Sequence, residues 1–391
     1  MRKFFSLLLM ICIAFNLVMA SNARMLSLGG ERAMLIDDDV SIGLFPQRVN
    51  DFSIARVEGL AADQPGYLVI IGDKGDKWGA WGSSANSQDL FNIYRSWNAS
   101  SALEMSFDVY REAEKMESEN SDRERTAGGF NTDITYGWDT ENSEKAVSLG
   151  FSYGPGAILE GDQYGEIDYK DISPLDTNLV SGESHRIGAN ANYLNRTDCR
   201  FPFFEKRYDN VSIRLINAAV EMFRDGEKTG DEGIFDININ ARTFLFNKRK
   251  INDYSNLYYG IGVGAGYYHM KLKSLEEIDE AQNDAYIGIL NFVTGLEMNF
   301  NNLDLRIGIN RNKTLYSTQK MSAINIDDRE ASLSYIGRSG SYRIVSGLGY
   351  NYKNLQVNVV LNNKLWESGP QMFFDSNLGK IFTTLDLVYS F

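Results

Sequence analysis

From residue 66 to the carboxyl end, apolar side chains recur at every second position. Phe235, Ile237, Ile239, Ala241 and Thr243 alternate with Asp236, Asn238, Asn240 and Arg242. Leu103 to Val109, Phe130 to Trp138, Leu257 to Tyr267, Leu303 to Ile309 and Leu355 to Leu361 repeat the pattern. A strand sends successive side chains to opposite faces, so each run has one apolar and one polar or small face. No helical period competes over these windows. The last eleven residues are the clearest case. Ile381, Thr383, Leu385, Leu387, Tyr389 and Phe391 share one face, opposed by Phe382, Thr384, Asp386, Val388 and Ser390.

A soluble sandwich would also alternate, but its turns come every ~8 to 12 residues. Several runs here pass that length, and they suit the ~9 to 11 residues of a transmembrane strand. Connections alternate in length too. Lys353-Asn354 and Asn301-Asn302 read as tight turns, whereas 113–128, 155–183, 222–232 and 273–284 read as longer, charged outer loops. This asymmetry predicts an all-β fold, a transmembrane antiparallel up-and-down β-barrel of about 14 strands, with about 12 or 16 left open. The count is least defined over 53–97, where Gly72 to Gly75 and Trp78 to Gly82 interrupt the alternation.

The carboxyl end, with Leu385, Leu387, Tyr389 and Phe391 at alternate positions, resembles the carboxy-terminal assembly signal of bacterial outer-membrane proteins. That resemblance implies the barrel-assembly machinery and outer-membrane lipid as partners. The amino terminus agrees in its address. Arg2 and Lys3 precede an apolar run, Phe4 to Val18, and then Val18-Met19-Ala20, so residues 1–20 read as a secretory signal peptide cleaved after Ala20. The run is shorter than the ~20 residues a membrane helix needs. Cys12 lies inside it, which leaves Cys199 alone and allows no intrachain disulfide. The formal charge of −13, or −15 without Arg2 and Lys3, argues against nucleic acid as a partner.

Residues 21–65 show no strand alternation and read as an amino-terminal hatch or periplasmic segment, with the barrel over 66–391. The segment carries Ala23-Arg24-Met25-Leu26-Ser27-Leu28-Gly29-Gly30, then Asp37-Asp38-Asp39 and Leu44-Phe45-Pro46. This constellation resembles the start of the FadL/PorV-like group of outer-membrane barrels. It departs from that group in having Phe45-Pro46-Gln47 where an Asn-Pro-Ala turn is expected. The resemblance implies a segment folded into the lumen as a hatch. It also implies either transport of small, hydrophobic molecules or service as a secretion-system accessory, the substrate or secretion partner being unspecified. A general diffusion porin and a non-transporting structural or docking barrel are the alternatives. A hatch over Ser21 to Gln47 would need cover for Leu26, Leu28, Met34, Leu35 and Ile36, and partners for Arg24, Glu31, Arg32 and Asp37. The run Gly260, Gly262, Gly264 and Gly266 on one strand face is expected to give it room.

Ten charged residues fall on faces expected to line the lumen: Arg186, Arg242, Arg306, Arg343, Asp108, Asp133, Asp236, Asp304, Glu297 and Asp386. Mixed signs of this kind pair with one another or border an aqueous path. Catalysis is not expected. The two histidines, His185 and His269, belong to apolar or aromatic faces with no nucleophile motif beside them. No cofactor is implied, and Asp37-Asp38-Asp39 lacks the Gly and Glu spacing of a calcium loop and reads as a solvated acidic turn.

Overall fold

The structure is a computed structural model that describes residues 21–35, 38–59, 65–85, 88–118, 121–155, 180–224, 227–275, 278–325, 330–337, 340–361 and 382–391. The expected signal peptide, Ile36, Asp37, Ile381 and most of 155–183 lie outside the described residues.

Among these residues, seventeen strand segments form one closed antiparallel sheet. They are β1 Ile54–Glu58, β2 Gly66–Asp73, β3 Asp76–Ala85, β4 Gln88–Asn98, β5 Ser101–Ser118 and β6 Ser121–Thr140. Next come β7 Ser143–Pro155, β8 Val180–Phe201, β9 Phe204–Arg224, β10 Glu227–Asn252, β11 Ser255–Leu275 and β12 Ile278–Phe300. The last are β13 Leu303–Asn325, β14 Glu330–Gly337, β15 Gly340–Tyr352, β16 Leu355–Leu361 and β17 Phe382–Ser390. β14 and β15 pair successively with the same strand, β13, so the wall has 16 strands, the higher of the counts left open beside about fourteen. The ring closes where β1 pairs with β2 on one side and β17 on the other. No helix of the described residues is long and apolar enough to cross a membrane.

The two extra strands come from the stretch in which alternation fails. Residues 54–98 form β1 to β4, and Gly72 to Gly75 is the end of β2 and a two-residue turn. β1 also lies upstream of residue 66, where the barrel was expected to begin. At five residues, with Arg56 and Glu58 on its buried face, it is too short and too charged to show a period.

One end of the barrel carries two-residue turns at 74–75, 99–100, 141–142, 202–203, 253–254, 301–302 and 353–354. Asn301 and Lys353 take positive φ, both 53°, as tight hairpin turns require. At the other end the expected long loops 113–128, 222–232 and 273–284 are corrected. β5–β6, β9–β10 and β11–β12 run on as paired strands to gaps of two residues. β10 has 26 residues, more than twice the ~9 to 11 that span a bilayer. Charge falls at both odd and even positions there, so the sequence shows no period although the backbone is paired.

Two aromatic girdles set the height of the lipid-facing band. Phe300 and Phe292 on β12, Tyr350 and Tyr342 on β15, and Tyr259 and Tyr267 on β11 each stand eight residues apart on an outward face. At ~3.3 Å per residue and a tilt of ~35–45°, eight residues climb about 20 Å, close to the ~25 Å apolar band of such barrels. The fold is therefore an outer-membrane-type barrel, with residues 21–35 and 38–51 lying against its inward wall.

Candidate functional site

The lumen is the site, and its near half is filled from within. Helix α1, Ser21–Ser27, leads to three 3₁₀ turns, Arg32–Met34, Asp39–Gly43 and Pro46–Asp51. Gly29 and Gly30, both at positive φ, end α1 and reverse the chain. An apolar set from this segment (Leu28, Met34, Leu35, Val40 and Phe45) packs on Leu194, Tyr208, Phe244, Phe246, Tyr258 and Val293 of the wall. A second set, Ile42 and Val49, packs on Ile54, Leu68, Ile70, Tyr94 and Val388 at the opposite side of the ring. Burying each large apolar side chain contributes roughly 1.5–3 kcal/mol. The packing gives the segment its place, and polar contacts fix its orientation.

The ionic and carboxylate contacts form five groups. Arg24 meets Glu297 at 2.8 Å and Asp38 at 2.6 Å, and Glu297 continues to Arg306 at 2.8 Å. Arg306 also binds Asp304 at 2.8 Å and Asn358. Burial alone would lower the Arg24 guanidinium, but the Asp38 and Glu297 carboxylates outweigh it and hold the group well above its ordinary value. The second group is Asp386, which accepts the Ala23 and Gly59 backbone N–H at 2.5 and 2.8 Å. In the third, Arg56 of β1 pairs with Asp39 at 2.9 Å and Glu58 at 3.3 Å. The fourth joins Arg48 and Arg196 to Glu144, with Arg196 lying over the Phe45 ring at 4.8 Å. Glu31 pairs with Arg242 farther from the turns.

Of the residues expected to line the lumen, Arg242, Arg306, Asp304, Glu297 and Asp386 meet either the segment or a group that holds it. Asp236 is buried on the wall of β10, Asp108 accepts a hydrogen bond from Asn131 at 3.1 Å, and Asp133 is half-buried on β6. Arg343 stands in register with Asn310 on β15 and is exposed. Arg186 lies on β8, its side chain outside the described residues, as is that of His185. His269 meets Asp284 at 2.8 Å through Nδ1. At the carboxyl end, Leu385, Leu387 and Tyr389 are partly buried on β17, and Phe391 is exposed just beyond it, 6.2 Å from the Tyr389 ring.

Two expectations are corrected. Asp38 and Asp39 are not a solvated turn: both are buried, 7% and 8% exposed, and each has an arginine partner. Among the described residues no group of acidic or histidine side chains is arranged to hold a metal ion. The glycine run of β11 does not receive the segment either. Gly260 and Gly262 lie under the Phe244 ring. The close approach falls instead at Gly295, Gly308 and Gly347, against Leu28, Gly29 and Ser27. A Cβ on Gly295 would stand 2.7 Å from the Leu28 carbonyl oxygen, and one on Gly347 would stand 2.6 Å from Ser27 Cβ. Arg48, Arg56, Glu144 and Arg196 were not singled out by the sequence, since nothing in its pattern joins positions so far apart.

Beyond the segment the lumen opens into a cavity of about 570 Å³. Its walls carry Asn210, Asn240, Asn291, Asn310 and Asn312, with Arg242 at its floor. Asn291 Nδ2 donates to Asn310 at 3.2 Å and also to Asn312, and Asn310 donates to the Gly29 carbonyl at 2.7 Å. A hydrogen-bonded amide surface thus begins on the segment itself and climbs the wall. Ile287 and Ile289, in register with Gly266 and Gly264, are exposed on the same wall, so the cavity offers hydrogen bonds and apolar contact side by side.

No protein-family model and no curated protein matches the chain. Solved structures of similar outline include the ferric-catecholate import receptor Fiu of E. coli K12, with TM-score 0.35, 8% identity, and coverage of 88% of this chain and 82% of that one. The ferric yersiniabactin uptake receptor FyuA of Yersinia pestis gives 0.35, 6%, 86% and 80%. The alcaligin outer-membrane receptor FauA of Bordetella pertussis gives 0.36, 8%, 86% and 75%. These are outer-membrane receptors and not members of the FadL/PorV-like group. At such scores the likeness says nothing of a ligand, and the assignment as an outer-membrane-type barrel rests on this chain's own closed strand order and girdles.

Proposed function

We propose that the protein is an outer-membrane transporter for small molecules, held shut by its own amino-terminal segment. One observation carries this reading: residues 21–35 and 38–51 occupy the near half of a lumen that 16 strands would otherwise leave open. Side chains fill a barrel interior only up to ~8 strands, and ~16 strands leave an aqueous channel. The FadL/PorV-like resemblance supports a hatch in this position. The cavity beyond the segment speaks for passage rather than for a secretion accessory: its asparagines suit solutes that exchange hydrogen bonds, and Ile287 and Ile289 beside them suit the apolar parts that the resemblance also allows.

The test is conductance of the full chain in planar bilayers, beside a chain lacking Ser21 to Gln47. The intact protein is expected to conduct poorly, and the deletion to give a wide, stable channel while still assembling. A wide pore in the intact protein, unchanged by the deletion, would establish a general diffusion porin instead.

A further inference from the structure

The outward face of β13 reads Leu303, Leu305, Ile307 and Ile309 from the short-turn end, and then Arg311 and Lys313. The lower girdle contains the register row Phe300, Leu303 and Tyr350. Eight residues on, the upper girdle contains the row Phe292, Arg311 and Tyr342, so a guanidinium stands between two outward aromatics. Lys313 follows in the next outward row, opposite Gly340, whose missing side chain leaves a groove of about 690 Å³ bordered by Phe292, Ile309 and Tyr342. Tyr342 is 77% exposed at its rim. Neither Arg311 nor Lys313 has an ion-pair partner among the described residues, in a chain whose net charge is −13.

We infer that this groove binds the phosphorylated headgroup of an outer-leaflet lipid, with Arg311 and Lys313 on the phosphate and Phe292 and Tyr342 flanking the sugar and upper acyl chains. A cation facing lipid at the bilayer midplane costs ~2–4 kcal/mol, and the penalty falls towards zero at the interface. The two cations stand where that penalty ends and where lipid phosphates lie. The short-turn end faces the periplasm in barrels of this type, so the upper girdle belongs to the outer leaflet. Planar recognition of phosphate is what a guanidinium does well.

The experiment is native mass spectrometry of the full chain in detergent, titrated with bisphosphorylated lipid A, with the same lipid stripped of phosphate, and with inorganic phosphate as competitor. The wild type should retain the phosphorylated lipid. The double variant R311Q/K313Q should hold it about thirtyfold more weakly, roughly fivefold for each cation near a charged surface. Inorganic phosphate at millimolar concentration should not displace the lipid. Equal retention of the phosphate-free lipid by the wild type overturns the proposal without need of any variant. So does an unchanged double variant, while displacement by inorganic phosphate would make this a free-anion site.

Discussion

The backbone N–H of Ala23 donates to the Asp386 carboxylate at 2.5 Å, across 363 residues of sequence. The start of the luminal segment is thereby tied to β17, the strand that closes the ring against β1. The same carboxylate accepts the Gly59 N–H at 2.8 Å, just after β1, so one side chain joins segment, closing strand and opening strand. D386A would leave two N–H groups unpaired, each at ~1–3 kcal/mol. The variant should open the lumen in bilayer recordings and lower the temperature at which the folded barrel loses its compact electrophoretic mobility. Unchanged conductance would show that the contact does not hold the segment.

Glu297 lies between Arg24 and Arg306, accepting from both. E297Q would replace the carboxylate the two guanidinium groups share with a neutral amide, leaving each a single carboxylate, Asp38 or Asp304. Removal of one member of a buried ionic group costs ~3–5 kcal/mol. Arg306 keeps Asp304 on the wall and Arg24 keeps Asp38 within the segment, so what E297Q removes is the ion pair between segment and wall, and the loss should fall on docking of the segment. Limited proteolysis should cut E297Q within residues 21–51 at concentrations that leave the wild type intact, and the barrel itself should survive.

The sequence revealed the barrel where lipid and lumen differ most. In Phe235 to Thr243 the outward residues meet hydrocarbon and the inward ones meet water or amides, so the period of two is plain. Over β2 it disappears. Tyr67, Leu68, Val69, Ile70 and Ile71 are all apolar, because Leu68 and Ile70 face Ile42 and Val49 rather than water. The luminal segment thus erases the alternation of the wall it packs on, and the strands beside it were the hardest to count. The same geometry explains the acidic pair Asp38-Asp39. Asp38 and Asp39 find Arg24 and Arg56 at 14 and 17 residues' separation, an interval with no periodic meaning. Over 113–128, 222–232 and 273–284 charge falls at both odd and even positions, and paired backbone there cannot be told from loop by pattern alone.

Orientation is testable midway between the girdles. Val263 lies four residues from both Tyr259 and Tyr267, faces outward and is 54% exposed. V263R should cost ~2–4 kcal/mol at that depth, read as a shifted unfolding midpoint or reduced assembly. On a Cys199→Ser background, a water-soluble thiol reagent should label cysteine at Asn240, on the cavity wall, and spare cysteine at Ile239, on the outward face. The reverse pattern would mean a register one residue out.

Docking of the segment should also depend on pH, through Asp39. Burial pushes its carboxyl well above the ordinary range, and Asp38 and Glu58 add to this, while Arg56 opposes it. A carboxyl whose pKa is raised in the docked state takes up a proton on docking. The contribution is full below the ordinary value of ~3.9 and is lost as pH rises through the docked value. Release of the segment should therefore increase towards alkaline pH, seen as more frequent channel openings or faster proteolysis within residues 21–51. D39N keeps the shape but cannot titrate, and Arg56 retains Glu58 at 3.3 Å. Its release should be nearly flat over the same range. If the wild type is itself flat, or if the variant keeps the full slope, Asp39 is not the titrating group.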